Sequence, residues 1–181
     1  YNVQTHAWET ITNFSAPGAA VNDIYLDEFS TNKLYVCFMY NFFSCAFDSV
    51  IPNANKYVFE YNTATGNVNQ FKIATNSSET MGLGKIVKSD TNTLWVVFNH
   101  FDTRNVVKYD LASNNVLTNI RLDLAYPYPL IRRMGTFAFQ KNSSGDKFIW
   151  LGIQKSGGDY QNILMRIKDV SPLSNEISFI S

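Results

Sequence analysis

The sequence has few of the residues that would assign a chemistry directly. Its 181 residues include two histidines and two cysteines, and 17% are charged. Lysine plus arginine equals aspartate plus glutamate, at 15 each. No basic block occurs, so nothing predicts contact with a nucleic-acid backbone. No G-x-S-x-G, H-E-x-x-H or phosphate-binding loop is present. Composition therefore indicates no catalytic class.

Long hydrophobic segments are also missing. The longest stretch, Leu34 to Phe47, is interrupted by Asn41 and Ser44. It is shorter than the roughly 20 residues that a membrane-spanning helix needs. No charged segment followed by an apolar segment lies near Tyr1, so no signal peptide is visible there. We therefore predict no membrane span.

The cysteines and sequons bear on the compartment. Cys37 and Cys45 lie in one stretch of chain, and they fit either two buried thiols or one disulfide. Three N-x-S/T sequons occur in polar, loop-like segments, at Asn13, Asn76 and Asn142. Together these features predict a secreted, extracellular glycoprotein with a Cys37–Cys45 disulfide.

What the sequence does contain is a repeat. Three segments share an apolar run, a polar turn and a second run centred on LYV, LWV or IWL; they are NDIYLDEFSTNKLYVCF from Asn22, MGLGKIVKSDTNTLWVVF from Met81 and MGTFAFQKNSSGDKFIWLGI from Met134. The centres recur about every 55 to 60 residues. After each comes a further run, turn and run, as in VVKYDLASNNVLTNIRL. One unit is therefore four short strands joined as a meander.

Local chemistry supports strands over helices. Val, Ile, Tyr, Phe and Trp dominate the runs, and the connectors are rich in Asn, Asp, Ser, Thr and Gly. A four-stranded unit at this period is typical of a β-propeller blade. A β-sandwich also has short strands and turns, but it does not explain the repeat. We therefore predict an all-β propeller of four-stranded antiparallel blades, with almost no helix.

The blade count predicts an incomplete ring. We assign residues 1–21 to the outer strands of a partial blade and residues 22–80, 81–133 and 134–181 to full blades of one propeller domain. Propellers close with roughly four to eight blades. We expect a fragment of a larger ring, completed by missing blades from the same precursor or from another chain. Trp95 and Trp150 are expected at equivalent, buried positions.

Two stretches carry a family resemblance. NDIYLDEFSTNKLYVCF resembles blades of the six-bladed senescence-marker/gluconolactonase and yellow/royal-jelly propellers, and the LWV and YDL text around Trp95 and Asp110 is similar to NHL and virginiamycin-lyase-like blades. The Gly-His and Trp-Asp marks of WD repeats and the double glycine of kelch repeats are absent. The resemblance implies a propeller.

The same resemblance raises the question of a metal. In gluconolactonase-like enzymes, Asn and Asp at the start of an inner strand help to hold a divalent ion, and here Asn22 and Asp23 match that pattern. The other two units carry Met-Gly at that place, and one blade cannot supply a full set of oxygen ligands. A turn with a capping side chain is the simpler interpretation. We predict no cofactor, and a divalent metal only if the chain belongs to an enzyme.

Loop length indicates where binding would occur. Connections between strands 1 and 2 and strands 3 and 4 are short, whereas the other connections are long, and long loops on a rigid scaffold usually carry function. The candidates for a ligand face are Tyr40, Phe42, Phe43, His100, Asp102, Tyr126, Tyr128, Arg132, Arg133 and Tyr160. Aromatics and arginines are favoured as contact anchors, and aromatic rings also suit sugars. The His100–Asp102 pair would share one face of a strand, but we assign no catalytic residue.

We therefore predict an extracellular binding or structural module that engages protein or glycan through its long-loop face. Two alternatives stay open. One is part of a metal-dependent propeller hydrolase, lactonase or lyase. The other is a self-assembling structural protein whose open blade faces join neighbouring chains.

Overall fold

The structure is a computed structural model that describes residue 6 and residues 19–40, 57–73, 83–98, 105–122, 131–155, 162–169 and 175–180. These residues form twelve strands. The strands are β1 Ala19–Leu26, β2 Lys33–Tyr40, β3 Tyr57–Asn62, β4 Val68–Lys72, β5 Leu83–Lys88, β6 Thr93–Phe98, β7 Asn105–Asp110, β8 Asn115–Arg121, β9 Ile131–Lys141, β10 Lys147–Lys155, β11 Asn162–Asp169 and β12 Asn175–Ile180.

Each set of four consecutive strands forms one antiparallel sheet in which every strand pairs with the next. Sheet I contains β1 to β4, sheet II contains β5 to β8 and sheet III contains β9 to β12. The predicted all-β class and four-stranded antiparallel sheets are confirmed. The described sheets do not close into a ring and are consistent with blades of a partial propeller.

The short turns begin with a residue whose side chain orders the turn. In five of them an Asp or Asn oxygen accepts a backbone N–H from further along the same turn; the residues are Asp27, Asn62, Asp90, Asp110 and Asn142. Such side-chain bonds replace part of the backbone pairing that the chain loses on reversing. Gly66, Asn114 and Gly145 have positive φ angles, which glycine and asparagine adopt at low steric cost.

The three sheets are stacked face to face. We call the face that points to the next sheet along the chain the front and the opposite face the rear. The front of sheet I packs on the rear of sheet II through Tyr35, Cys37 and Val58 against Leu94 and Val96. The front of sheet II packs on the rear of sheet III through a second cluster, which includes Trp95, Val97, Val106, Ile149, Leu151 and Met165.

Sheet II is therefore covered on both faces. This is why β7 is apolar at successive positions and not only at alternate ones: Val106 faces sheet III, whereas Val107 and Tyr109 face sheet I. Strands that are buried on both faces lose the apolar–polar alternation of a half-exposed sheet. The continuous apolar runs in the repeat follow from this stacking.

One cross-strand row recurs in all three sheets. It runs Tyr25, Tyr35, Glu60, Asn69 in sheet I; Val87, Trp95, Lys108, Thr118 in sheet II; and Ala138, Trp150, Arg166, Ser178 in sheet III. Trp95 and Trp150 thus occupy equivalent positions, as expected from the repeat. The Trp95 ring is fully buried. Trp150 is of intermediate exposure, so it is less buried than expected, and no described sheet packs in front of sheet III.

Candidate functional site

Most of the predicted ligand face lies outside the described residues. This applies to Phe42, Phe43, His100, Asp102, Tyr126, Tyr128 and Tyr160. Tyr40 ends β2, and Arg132 and Arg133 lie at the start of β9; only their backbone is described. Since strands β2 and β9 end and begin at the same end of the stack, these three positions share that end.

The connections differ in length between the two ends of the stack. At the end that we call the turn end, the sheets are closed by the segments 27–32, 63–67, 89–92, 111–114, 142–146 and 170–174. At the opposite end, which we call the loop end, the strands are joined through residues 41–56, 73–82, 99–104, 122–130 and 156–161. The three longest connections, 41–56, 73–82 and 122–130, therefore leave from the loop end, whereas 99–104 and 156–161 are as long as the turn-end segment 27–32.

The predicted modification sites are only partly described. Cys45, Asn13 and Asn76 lie outside the described residues, so the disulfide and two glycans stay predictions. Cys37 is completely buried in the sheet I–sheet II core, and burial raises the pKa of its thiol. Asn142 lies in the β9–β10 turn, where its Nδ2 donates to the Asp146 carboxylate at 3.1 Å. That bond accounts for Asn142 as a turn residue, and glycosylation there also stays a prediction.

Asn22 and Asp23 join sheet I to the inner edge of β5. Asn22 Nδ2 donates to the Gly84 carbonyl, and Asp23 Oδ2 accepts the Ile86 N–H at 3.0 Å. Asp23 Oδ1 also pairs with Lys85 Nζ at 2.9 Å. Because β5 is an edge strand, these groups would otherwise lack a partner in their own sheet. Both residues thus have a structural role in joining two sheets.

A cleft of about 450 Å³ runs along the first strands of the three sheets. Its lining includes Asp23, Tyr25, Lys85, Phe137 and Phe139. The Tyr25 hydroxyl donates to Glu28 at 3.0 Å, and burial, aided by that hydrogen bond, raises the pKa of Tyr25. The tyrosine therefore keeps its proton at neutral pH. Two polar pairs line this cleft: Tyr25 with Glu28 of the following turn, and Asp23 of β1 with Lys85 of β5.

A second cleft, of about 530 Å³, lies between sheets I and II at the turn end. At its floor Lys88 Nζ contacts Asp27 Oδ2 at 2.7 Å, and the two side chains are 2% and 1% exposed. The Lys88 ammonium also lies over the rings of Phe29 and Tyr35, at 5.7 and 5.2 Å from their centroids. A fully desolvated charge of this kind requires its partner. The pair holds sheet II against sheet I.

Glu60 organises the rest of this cleft. Its carboxylate accepts hydrogen bonds from Lys33 at 3.0 Å, the Tyr35 hydroxyl at 2.8 Å and Asn69 at 3.0 Å. Burial alone would raise the pKa of Glu60, but these three donors outweigh it and the pKa is lowered. Burial and the adjacent Glu60 raise the pKa of Tyr35. Glu60 is thus ionised and Tyr35 protonated at neutral pH, an arrangement that fits polar binding better than proton transfer.

Sheets II and III are joined by a comparable charged contact. Lys108 pairs with Asp169, both almost completely buried, and Ser89 Oγ donates to the same carboxylate at 3.3 Å. Trp95 Nε1 donates to Ser89 Oγ at 3.2 Å, and the Lys108 ammonium lies over the Trp95 ring. Nearer the surface, Lys147 pairs with Asp90 at 2.6 Å.

Sequence reasoning missed these charged contacts between sheets. The available signal was a lysine inside an otherwise apolar strand, as at Lys88 in GKIVKS and Lys108 in VVKYD. A charged residue in a strand that is buried on both faces requires a buried partner. The partners, Asp27 and Asp169, are distant in sequence, so no local pattern identifies them.

The fold and its clefts define a stack of blade-like antiparallel sheets held together by apolar clusters and buried ion pairs. No family model, no curated protein and no solved structure matches this chain. Within the described ranges, no cluster of three or more His, Cys, Asp or Glu residues is arranged to hold a metal. Over the same ranges, no helix is long and apolar enough to cross a membrane.

Proposed function

We propose that this chain is part of an extracellular β-propeller that works as a binding module and engages protein or glycan through the loop end. The observation that carries the proposal is the segregation of connections: the turn end is closed by short, hydrogen-bonded turns, and the long connections leave from the other end. Long connections on a rigid stack are the usual place for recognition.

The charges of the two clefts support a binding role over acid–base catalysis. Asp23 is committed to Lys85 and the Ile86 N–H, Asp27 to Lys88, and Glu60 to three donors. Groups engaged in this way stabilise contacts between and within sheets and are poor candidates for a base that must accept a proton. The metal-dependent hydrolase remains the alternative, with a metal site completed by residues outside this chain.

Binding assays with loop-end variants test the proposal. We would measure binding of the secreted full-length polypeptide to a glycan array and to a panel of purified extracellular proteins. Tyr126→Ala/Tyr128→Ala and Arg132→Ala/Arg133→Ala should each weaken the strongest interaction by about tenfold or more, the effect expected for central contact residues.

Ser143→Ala and Lys141→Ala, exposed and close to the β9–β10 turn, serve as matched controls at the turn end and should leave binding unchanged. If the controls abolish binding and the loop-end variants do not, the binding face is wrong. Metal-dependent hydrolysis of lactone or phosphotriester substrates would favour the enzyme instead.

A further inference from the structure

We propose that the front face of sheet III is a docking surface for a further four-stranded β-sheet, which presents a carboxylate to Arg166. The inference rests on the blade arrangement of the proposed function and specifies one contact of the missing neighbour. It is independent of what the loop end binds.

The contact is already formed once, between sheets II and III. On the front of sheet II, Trp95 donates its indole N–H to Ser89, and Lys108 lies over the Trp95 ring. Asp169, from the rear of sheet III, completes the group by pairing with Lys108 and accepting from Ser89. An aromatic ring, a cation and a hydroxyl on one sheet thus receive a carboxylate from the next sheet.

The front of sheet III carries the same group without the carboxylate. Trp150 Nε1 donates to Gln140 Oε1 at 2.8 Å, and Gln140 stands at the position equivalent to Ser89 in the shared register. The Arg166 guanidinium lies over the Trp150 ring at 5.8 Å, as Lys108 does over Trp95. Its Nε donates to Ser178 at 3.1 Å, and a guanidinium has four further N–H donors. No ion pair of Arg166 with a carboxylate is formed within the described part of the chain.

The exposure of this face fits an absent neighbour. Ala138 is exposed, Trp150 is half-buried and Leu164 is 41% exposed. Their counterparts on the front of sheet II, namely Val87, Trp95 and Val106, are buried under sheet III. The front face is therefore buried in sheet II and only partly buried in sheet III, where Phe148 is the buried residue at 9% exposure.

Charge decides which sheet can cover it. Asp169 follows Arg166 by three positions, and the equivalent positions in sheets II and I are Leu111 and Thr63. Leu111 faces the row that contains Glu60, whose charge is already paired inside sheet I. The row of sheet II that contains the cation Lys108 thus faces Asp169, whereas the row of sheet I that contains the anion Glu60 faces Leu111. A second copy of this chain would offer Thr63 from the rear of sheet I, which leaves Arg166 without a carboxylate. The occupant is therefore a further sheet with Asp or Glu at this position, not a second copy.

An extended chain tests the contact directly. Residues 123–181 are appended after Ser181, so that the added copy of sheet III presents its own Asp169 to the original Arg166. Trp8→Phe in the original chain and Trp150→Phe in the appended copy leave Trp95 and the original Trp150 as the two tryptophans. A further variant with Trp95→Phe then reports acrylamide quenching of the original Trp150 alone. We expect the original Trp150 to become protected. Arg166→Gln in the original copy and Asp169→Asn in the appended copy should each lower the melting temperature, with a non-additive part of about 3 °C.

Additive effects, or a Trp150 that is equally quenched with and without the added sheet, would overturn the proposal. Should the extended chain not fold, modification of arginines by phenylglyoxal in the protein purified from its source decides. Arg166 should be protected there and reactive in the 181-residue chain, with exposed Arg121 as the internal control. Equal reactivity of Arg166 in both, or protection in the 181-residue chain through self-association seen by light scattering, would contradict a further sheet. Neither result depends on ligand binding at the loop end.

Discussion

Replacing each of two equivalent tryptophans by alanine measures what a covering sheet contributes. Trp95 and Trp150 share one register position, each lies beside a cation and each donates its indole N–H to a side chain. They differ in burial, since Trp95 is 0% exposed and Trp150 is half-buried. The comparison therefore isolates the effect of sheet III on a residue of sheet II.

Trp95→Ala should lower the free energy of unfolding by about 3 to 5 kcal/mol, the usual loss for a buried large aromatic. The change opens a cavity against Ile149 and Leu151 and removes the ring beside buried Lys108. A tryptophan buries roughly 200 Å², worth about 5 kcal/mol at 25 cal/mol per Å². Trp150 is only partly buried, so less area is lost and no closed cavity forms. Trp150→Ala should therefore cost less than Trp95→Ala, roughly 2 to 3 kcal/mol.

Urea unfolding followed by far-ultraviolet circular dichroism checks the difference, because that signal does not depend on the indoles. With slopes of about 1 to 3 kcal/mol per molar urea, the two midpoints should differ by about 1 M. Trp95→Phe and Trp150→Phe extend the comparison if Trp95→Ala does not fold. Equal losses from the two alanine variants would refute the assignment of Trp95 to a sheet interface and of Trp150 to an open face.

Three further results are expected. Lys88→Met should lower the free energy of unfolding by about 3 to 5 kcal/mol, because it leaves Asp27 buried without its partner. In the same urea experiment, Lys88→Met/Asp27→Leu should recover most of that loss. A loss below about 1 kcal/mol for the single variant would contradict the buried pair. Since the pKa of folded Glu60 lies below its ordinary 4.5, the stabilisation from Glu60 should be complete at neutral pH and disappear as the pH falls below about 4.5. Between pH 5 and pH 3, the melting temperature should therefore fall further for the unmodified protein than for Glu60→Gln. Equal falls in melting temperature would argue against an ionised, hydrogen-bonded Glu60. Cys37 and Cys45 should resist thiol labelling under denaturing, non-reducing conditions, whereas two labelled cysteines per chain would disprove the disulfide and weaken the case for an extracellular protein.

Much of the architecture could be predicted because the repeat carries it. The strand sequence around Leu34, Leu94 and Ile149 recurs with a turn before it and a pair of strands after it, and each copy forms one four-stranded sheet. The Asp and Asn residues that open the turns also have local roles, since their side chains bond to backbone groups only two to four residues away. Patterns that act over such short distances can be recognised in a sequence.

The candidate site was much less predictable. In the sequence, Asn22 and Asp23 resemble a metal-binding pair. In the structure they hydrogen-bond to backbone groups of the edge strand β5, some sixty residues further along the chain. From the sequence alone, Lys88 and Lys108 resemble surface residues. In the structure both are buried and pair with Asp27 and Asp169 of the neighbouring sheets. Interactions between sheets depend on the stacking geometry, and no local pattern encodes it.

Local patterns in the sequence specify the strands, the turns and the number of strands in each sheet, because hydrophobic patterning and turn chemistry act between near neighbours. The stacking of the sheets sets which faces are covered and which charges meet. Trp95 and Trp150 occupy equivalent register positions, and they differ in whether a described sheet packs in front of them. Burial is a property of the stack as a whole, since the same type of side chain is fully buried when another sheet lies in front of it and only partly buried when no described sheet does.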